Sequence, residues 1–530
     1  MLVIRCDVVT FDDTHRVVEG GAILVGDDGR VVDVLAAGAP VPAAFADARV
    51  VTYDGYAYPG LVDLHNHIPY NTIGLWTLAR QKTPWVDHNA WTRPREYSEQ
   101  ITAPQVFLGW AAGPELLTYV ETKALIAGTT TLQGNGKARP PLGLLCRNLD
   151  TETFGSADRF RVATIPPFRP ADLDSVRRQM TDDGIGYILH LAEGLRGEAM
   201  SAEWDMAFDN GVVQDTFVGI HGLGLARAEL KALQKVGATL VWSPFSNMWL
   251  YGATADIVTA RALGLRICLG SDWAPSGTRN VLGELKVASL WNSAPQKWFD
   301  PARKAPKPPA GGVFTDRDLC DLVTRNPGDA IAQVYGGPEI GRLQQGYLAD
   351  LVLIARRDDD PYKNLVAATE PDVELVLVDG EPRCGTASLM KAAGAKNAHV
   401  VTYRSRGTKH SRSVVLRNPA RPAATFTWSH VTGRLEEVRD DPAAADQQLA
   451  AALAAADAGR ADRVFVVEGD MPFGTSDRAQ ELAAGGAAVK PKPVPIPPID
   501  PLVHDAAWFD AVDANSYHRG LLSPLRAFYP

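Results

Sequence analysis

The sequence is poor in cysteine: five in 530 residues, Cys6, Cys146, Cys268, Cys320 and Cys384, scattered and without a C-x-x-C pair. That argues against a disulfide framework and a thiolate zinc site, and fits a reducing cytoplasm. Basic residues are not in excess. Lys+Arg number 53 against 62 Asp+Glu, a net charge of −9, so no global field draws nucleic acid or an anionic membrane surface. No apolar run approaches the ~20 residues that span a bilayer, and no basic stretch followed by an apolar one opens the chain. There is no internal repeat and no nucleotide-binding glycine loop. The reading is a cytoplasmic protein acting on a small-molecule substrate, without nucleic acid, membrane or organic cofactor.

The chain has ordinary globular composition, 46% hydrophobic and 22% charged, with room for more than one domain. Residues 1–58 show short β runs broken by DDG and DG turn signals. From 59 to 334, short apolar strands alternate with helical patterns, close to the ~250 residues of a closed (β/α)8 barrel. An irregular Pro- and Lys-rich loop, Ala302 to Gly312, interrupts it. Residues 335–385 return to strands, so the two ends of the core are expected to share a sheet flanking the barrel. The fold class is α/β. Beyond 386 the composition shifts to a basic hairpin-like stretch, an Ala-rich helix near Pro442 to Ala458, a strand at Arg463 and the polyproline-like KPKPVPIPPIDP. This extension, 386–530, reads as structural or oligomeric, covering surface in a homo-oligomer, and its role is otherwise unassigned.

Four apolar runs each end in a titratable residue. In GLVDLHNH, alternation puts Asp63, His65 and His67 on one face. Its H-x-H is either a metal pair at a strand end or a chance pair in a loop. GYILHLAE carries His190 and, three residues on, Glu193. FVGIH ends at His221, which also reads as a core histidine. LRICLGSD ends at Asp272, which also reads as a helix N-cap. Strand C-termini are where a barrel holds its active site. Loop residues Ile68 to Tyr97 are rich in Trp76, Trp85, Trp91, Tyr70, Asn71 and Arg93, suited either to stacking on a flat polar heterocycle or to packing on the barrel rim. Arg279 and Lys286 read as solvated.

Together PGLVDLHNH, HLAE, the lone His221, LGSDWAPSG, AGTTT (Ala127 to Thr131) and SNMWLYG (Ser246 to Gly252) resemble the amidohydrolase superfamily, in the branch of cytosine deaminase, guanine deaminase and triazine hydrolase. The likeness covers about Met1 to Gly380. GRLQQGYLADLVLI resembles the segment where such enzymes re-enter a flanking β-sandwich, here built from 1–58 and 335–385. The resemblance implies that His65, His67, His190 and Asp272 hold one divalent metal, zinc favoured over iron, which activates a water. It makes Asp272 the base, Glu193 the acid and His221 the group that orients the water and polarises the acceptor.

The implied reaction is deamination of a nitrogen heterocycle or cyclic amidine. The alternatives are hydrolysis of a ring amide, as in imidazolonepropionase-like relatives, and a non-catalytic scaffold. The departures are specific. No lysine stands where binuclear members carry their bridging one; Lys137 lies in a polar glycine-rich stretch, and Glu152 is the alternative bridge. Trp242-Ser-Pro replaces a common H-N-P. Tyr70, Asn71, Trp76 and Trp242 are the expected substrate contacts. Strands three and four of the barrel are not placed, with Ala163-Thr-Ile-Pro the better candidate for one of them.

Overall fold

In the computed structural model, the residues described are 1–134, 145–149, 159–163, 170–298, 309, 311–337, 339–416, 426–455 and 491–529. Four strands open the chain: β1 (Leu2–Val9), β2 (Val17–Val25), β3 (Val31–Leu35) and β4 (Arg49–Pro59). Eight short parallel strands follow. Three are β5 (Leu61–Asp63), β6 (Thr129–Leu132) and β7 (Arg147–Asn148). Five are β8 (Phe160–Ala163), β9 (Gly186–Leu191), β10 (Phe217–His221), β11 (Thr239–Trp242) and β12 (Arg266–Leu269). Last come β13 (Leu351–Ala355), β14 (Val373–Val378), β15 (Glu381–Gly385), β16 (Ala398–Ser405) and β17 (Thr408–Val415).

The parallel strands form two arcs, β5-β6-β7 and β12-β11-β10-β9-β8. Helices connect β5 to β6 and each strand to the next from β8 to β12, and strands such as β9 (GYILHL) and β10 (FVGIH) are buried along their whole length, which is why they read as apolar runs without alternation. Val62, Ile188, Val218, Ile220, Val241 and Cys268 pack together on one side of the arcs. Leu189, Leu240, Trp242 and Leu269 pack outward into the larger core with the helices. A parallel bridge between Asn66 and Asp272 joins the β5 and β12 ends.

The two chain ends meet in one nine-stranded sheet, β16-β17-β15-β14-β13-β4-β1-β2-β3. Strand β4 pairs with β1 on one edge and β13 on the other, so both ends share a single hydrogen-bonded ladder. The ladder also runs past residue 385, because β17 pairs with β15 through Cys384↔Val414 and Gly385↔Ser413. The five cysteines are buried free thiols. No helix among the described residues is long and apolar enough to cross a membrane.

The helix Ala103–Ile126 lies almost wholly buried. It bends at Ala112, two residues before Pro114, as a proline inside a helix requires. Helices Trp428–Asp440 and Pro442–Ala455 cover it, with Trp428 stacked on Tyr119 at 5.6 Å. Residues 491–505, which include most of the proline-rich run, form neither helix nor strand. They lead to a helix, Ala506–Ala514, capped by Asp505. The Pro- and Lys-rich loop, except Pro309, Gly311 and Gly312, the strand at Arg463, Lys137 and Glu152 lie outside the described residues.

Arg147 of β7 fastens the arcs to the sheet. Its guanidinium meets the buried Asp350 carboxylate at 2.9 Å and also reaches Asp379. Removing one partner of a buried pair strands the other charge. Asp350→Ala is therefore expected to cost about 3–5 kcal/mol, read as a lower urea midpoint.

Candidate active site

Strand β5 stops at Asp63, so His65 and His67 sit in the turn beyond it rather than on the strand itself. Asp63, buried at the strand end, holds that turn. Its carboxylate accepts from Ser271 N at 3.0 Å and from Asn66 Nδ2 at 2.9 Å. Backbone bonds complete the joint: Asp272 N donates to His65 O at 3.0 Å, and His67 N donates to Asp272 O at 2.7 Å.

This joint, with β9 and β10, brings the titratable strand-end residues together. His65 Nε2 lies 3.1 Å from Asp272 Oδ1, and His67 Nε2 lies 3.6 Å from the same oxygen. His190, within β9, faces His67 with their Nε2 atoms 3.2 Å apart. Ligand atoms of His65, His67 and Asp272 lie within 4.8 Å of one another, as do those of His65, His190 and His221. Converging imidazole nitrogens and a carboxylate fit a zinc-type divalent ion. Gln133 Oε1 lies 3.3 Å from His65 Nδ1; accepting a hydrogen from that nitrogen leaves Nε2 with its lone pair toward the centre.

Three non-glycine residues at these strand ends have positive φ: Ala192 (50°), His221 (66°) and Asp272 (64°). Such conformations cost about 1–3 kcal/mol each and persist where surrounding structure enforces them. Burial works against the Asp272 carboxylate, but the His65 hydrogen bond and the neighbouring imidazoles hold it well below the usual range, so it stays ionised. Burial, with the other imidazoles, pushes His221 well below the ordinary histidine value and keeps it neutral. Asn247 Nδ2 donates to His221 Nδ1 at 3.2 Å. The neutral ring then carries its hydrogen on Nε2, which has no hydrogen-bond partner of its own.

Glu193 stands 3.8 Å from His221 Nε2. Burial pushes its carboxyl up to about 8 against the opposing pull of His88. Tyr251 OH donates to Glu193 Oε1 at 2.6 Å and accepts from Trp91 Nε1 at 2.8 Å. Glu203 receives the Ala192 N–H at 3.1 Å and pairs with His88 at 2.7 Å, and His88 N donates to Glu193 O at 3.0 Å. The acid is thus held by its side chain and by the peptides on either side of it.

The expected substrate contacts divide. Tyr70 packs edge-on against Trp273 at 5.0 Å, and Trp273 lies 6.0 Å from His67. Trp91 and Tyr97 close on the same indole at 5.7 and 6.3 Å. Trp76 packs on Tyr97 at 5.9 Å and gives its N–H to Gln100. Asn71 and Trp242 have partners within the protein. Both polar groups of the Asn71 amide are engaged, Oδ1 by Ala274 N and Nδ2 by Asn66. Trp242 faces outward onto Trp291 and donates to Thr254, since its parity along β11 is that of Leu240. Arg279 and Lys286, read as solvated, are buried: Arg279 is bound by Asp500, and Lys286 Nζ donates to the carbonyls of Leu282 and Ala368.

Sequence reasoning missed Gln133, Tyr251 and Trp273. Tyr251 and Trp273 lie inside the SNMWLYG and LGSDWAPSG motifs, and Gln133 stands two residues past AGTTT, so proximity to those motifs was the available signal.

No family model matches the sequence. The 5-methylthioadenosine/S-adenosylhomocysteine deaminase of Pyrococcus furiosus is 24% identical over 419 residues, covering 72% of this chain and 94% of that protein. Among solved structures, a variant of the atrazine chlorohydrolase of Arthrobacter aurescens complexed with zinc and atraton superposes with a TM-score of 0.56 at 19% identity, over 72% of this chain and 95% of its own. The guanine deaminase of C. acetobutylicum with bound guanine gives 0.53 at 15% identity, over 72% and 99%.

Gly134 sets how closely β6 approaches the histidine turn. Its φ is 104°, and a Cβ there would fall 1.2 Å from the Asn66 carbonyl oxygen. Gly134→Ala is expected to force the turn open at a cost of at least about 2 kcal/mol, read as a lower unfolding midpoint.

Proposed function

We propose that the chain belongs to the amidohydrolase superfamily, in its deaminase branch, and that it deaminates a planar nitrogen heterocycle carrying an exocyclic amino group. The observation that carries the reading is a buried carboxyl, Glu193, held protonated by its surroundings beside a converging set of imidazoles and an ionised carboxylate. In this reading the two parallel arcs belong to one (β/α)8 barrel over residues 59–334, which the bridge between Asn66 and Asp272 supports. Residues 1–58 and 335–385 flank it, and 386–530 extend from it.

In this reading His65, His67, His190 and Asp272 hold one divalent ion, with zinc favoured by the nitrogen-rich donor set. When bound, the ion supplies Lewis-acid activation of a water, lowering its pKa towards ~7. Asp272 would accept a proton from the attacking water on a carboxylate oxygen. His221 presents Nε2–H to orient the attacking oxygen. Glu193 gives its proton to a ring nitrogen as the carbon becomes tetrahedral. The departing amine takes the proton held on Asp272 and leaves as ammonia, while the added hydroxyl returns a proton to Glu193 and its oxygen stays on the ring carbon as a carbonyl. Tyr70, Trp91, Tyr97 and Trp273 supply a cluster of mutually inclined aromatic rings suited to an uncharged ring.

The test is an ammonia-coupled screen of purified, metal-analysed protein over adenine nucleosides, other purines, pyrimidines, pterins, triazines and cyclic guanidines. In ¹⁸O-water the label should appear on the ring carbon with ammonia in equal amount. Label in a ring-opened carboxylate without ammonia would point to ring-amide hydrolysis instead. Metal counting should return close to one tightly held ion per chain; two would refute the single-ion site. Glu193→Gln should keep the metal and lower turnover by about 10²–10⁴. Because the acid must carry its proton, wild-type turnover should decline as pH rises through about 8, and a rate that stayed flat there would remove Glu193 from that role.

A further inference from the structure

The segment 491–529 is remote from the imidazole cluster in sequence but is bonded to its supports. The Asp500 carboxylate is buried between Lys123 Nζ, at 2.5 Å, and the Arg279 guanidinium, whose Nε and Nη2 each lie 2.7 Å away. Asp500 N donates to Thr72 O at 2.9 Å, and Tyr119 OH donates to Asp500 O at 2.9 Å. The turn that receives it carries Gly74, where a Cβ would already come 3.0 Å from Asp500 Oδ1.

The contacts continue inward. Lys123 Nζ donates to Asn71 O at 2.7 Å. The Asn71 amide then ties two turns together. Its Oδ1 accepts from Ala274 N at 2.8 Å, two residues past Asp272, and its Nδ2 donates to Asn66 Oδ1 at 3.1 Å, between His65 and His67. Asn66 Nδ2 in turn donates to Asp63 Oδ2 and Ser271 Oγ, both at 2.9 Å. Every link is buried and within hydrogen-bonding distance, so the chain of contacts has little freedom to absorb a displacement.

We infer that Asp500 is a positioning residue for the metal site: it fixes Lys123 and the 71–74 turn, and through Asn71 sets the relative placement of the His65–His67 turn and the Asp272–Ala274 turn. The inference rests on the metal-site reading above, though not on the identity of the substrate. Asp500 does more than fasten the tail. An anchor of the tail alone would need the pair with Arg279; the bond from Lys123 to Asn71 points to the site and adds nothing to that anchoring.

The test uses the full chain loaded with cobalt(II), whose visible spectrum reports ligand geometry without any substrate. Asp500→Asn removes the carboxylate charge. Lys123→Met cuts the bond to Asn71 while leaving the Arg279–Asp500 pair neutral and intact, so it decides the question if the first variant does not fold. Tyr119→Phe removes a bond to the tail that has no continuation to Asn71. Both Asp500→Asn and Lys123→Met should alter the cobalt spectrum and speed loss of the ion to a chelator by about tenfold or more, the range for groups that orient metal ligands. Tyr119→Phe should lower the unfolding midpoint and leave the spectrum unchanged. A folded Lys123→Met protein with the wild-type spectrum and loss rate would overturn the inference, as would a Tyr119→Phe protein that changed them equally. Wild-type protein that bound no cobalt would overturn the metal reading itself, a different failure.

Discussion

The convergence of side chains depends on a short backbone joint between the turns that follow β5 and β12. Two peptide hydrogen bonds, Asp272 N to His65 O and His67 N to Asp272 O, make the two turns one rigid piece. Side chains leaving both turns then meet without relying on long, flexible reach. Asp63 underpins the joint, and a buried carboxylate in that place is tolerable because Ser271 and Asn66 satisfy it. The left-handed backbone of Asp272 is held by the same bonds. Here strain and support share a few residues, as preorganised sites require.

Around this joint the walls are apolar and aromatic, and that surrounding sets the chemistry of the acid. Glu193 sits buried beside Tyr251 and the neutral His221, away from the water that would otherwise favour its ionised form. Asp272, equally buried, stays ionised because imidazoles face it. Two carboxyl groups of one site thus take opposite protonation states from their neighbours alone.

The strand-end histidines, Glu193 and Asp272 were legible because each interrupts an apolar run where a parallel strand must end. The alternation of parallel strands with helices was legible for the same reason. Tyr251 was not, because an aromatic residue in an apolar helix reads as core until its hydroxyl is seen on Glu193. Lys123, Arg279 and Lys286 were harder still. A cation reads as solvated unless its counter-charge is known, and for Lys123 and Arg279 that charge is Asp500, hundreds of positions later. Asn71 was expected as a substrate contact, and nothing in the sequence signalled that its amide also joins the turns at Asn66 and Ala274. The short β7 has no periodicity to read, since two residues carry none.

The shared nine-stranded sheet has a consequence for how the chain is made. Strand β4 gains β1 early, but its other edge waits for β13, about three hundred residues later. At ordinary rates of synthesis that edge stays open for roughly 15–60 s while the parallel strands are still emerging. An unpaired edge is a template for wrong partners. The nascent protein therefore has a defined interval of vulnerability, and its yield in a cell is governed by how well that one edge is shielded before β13 arrives.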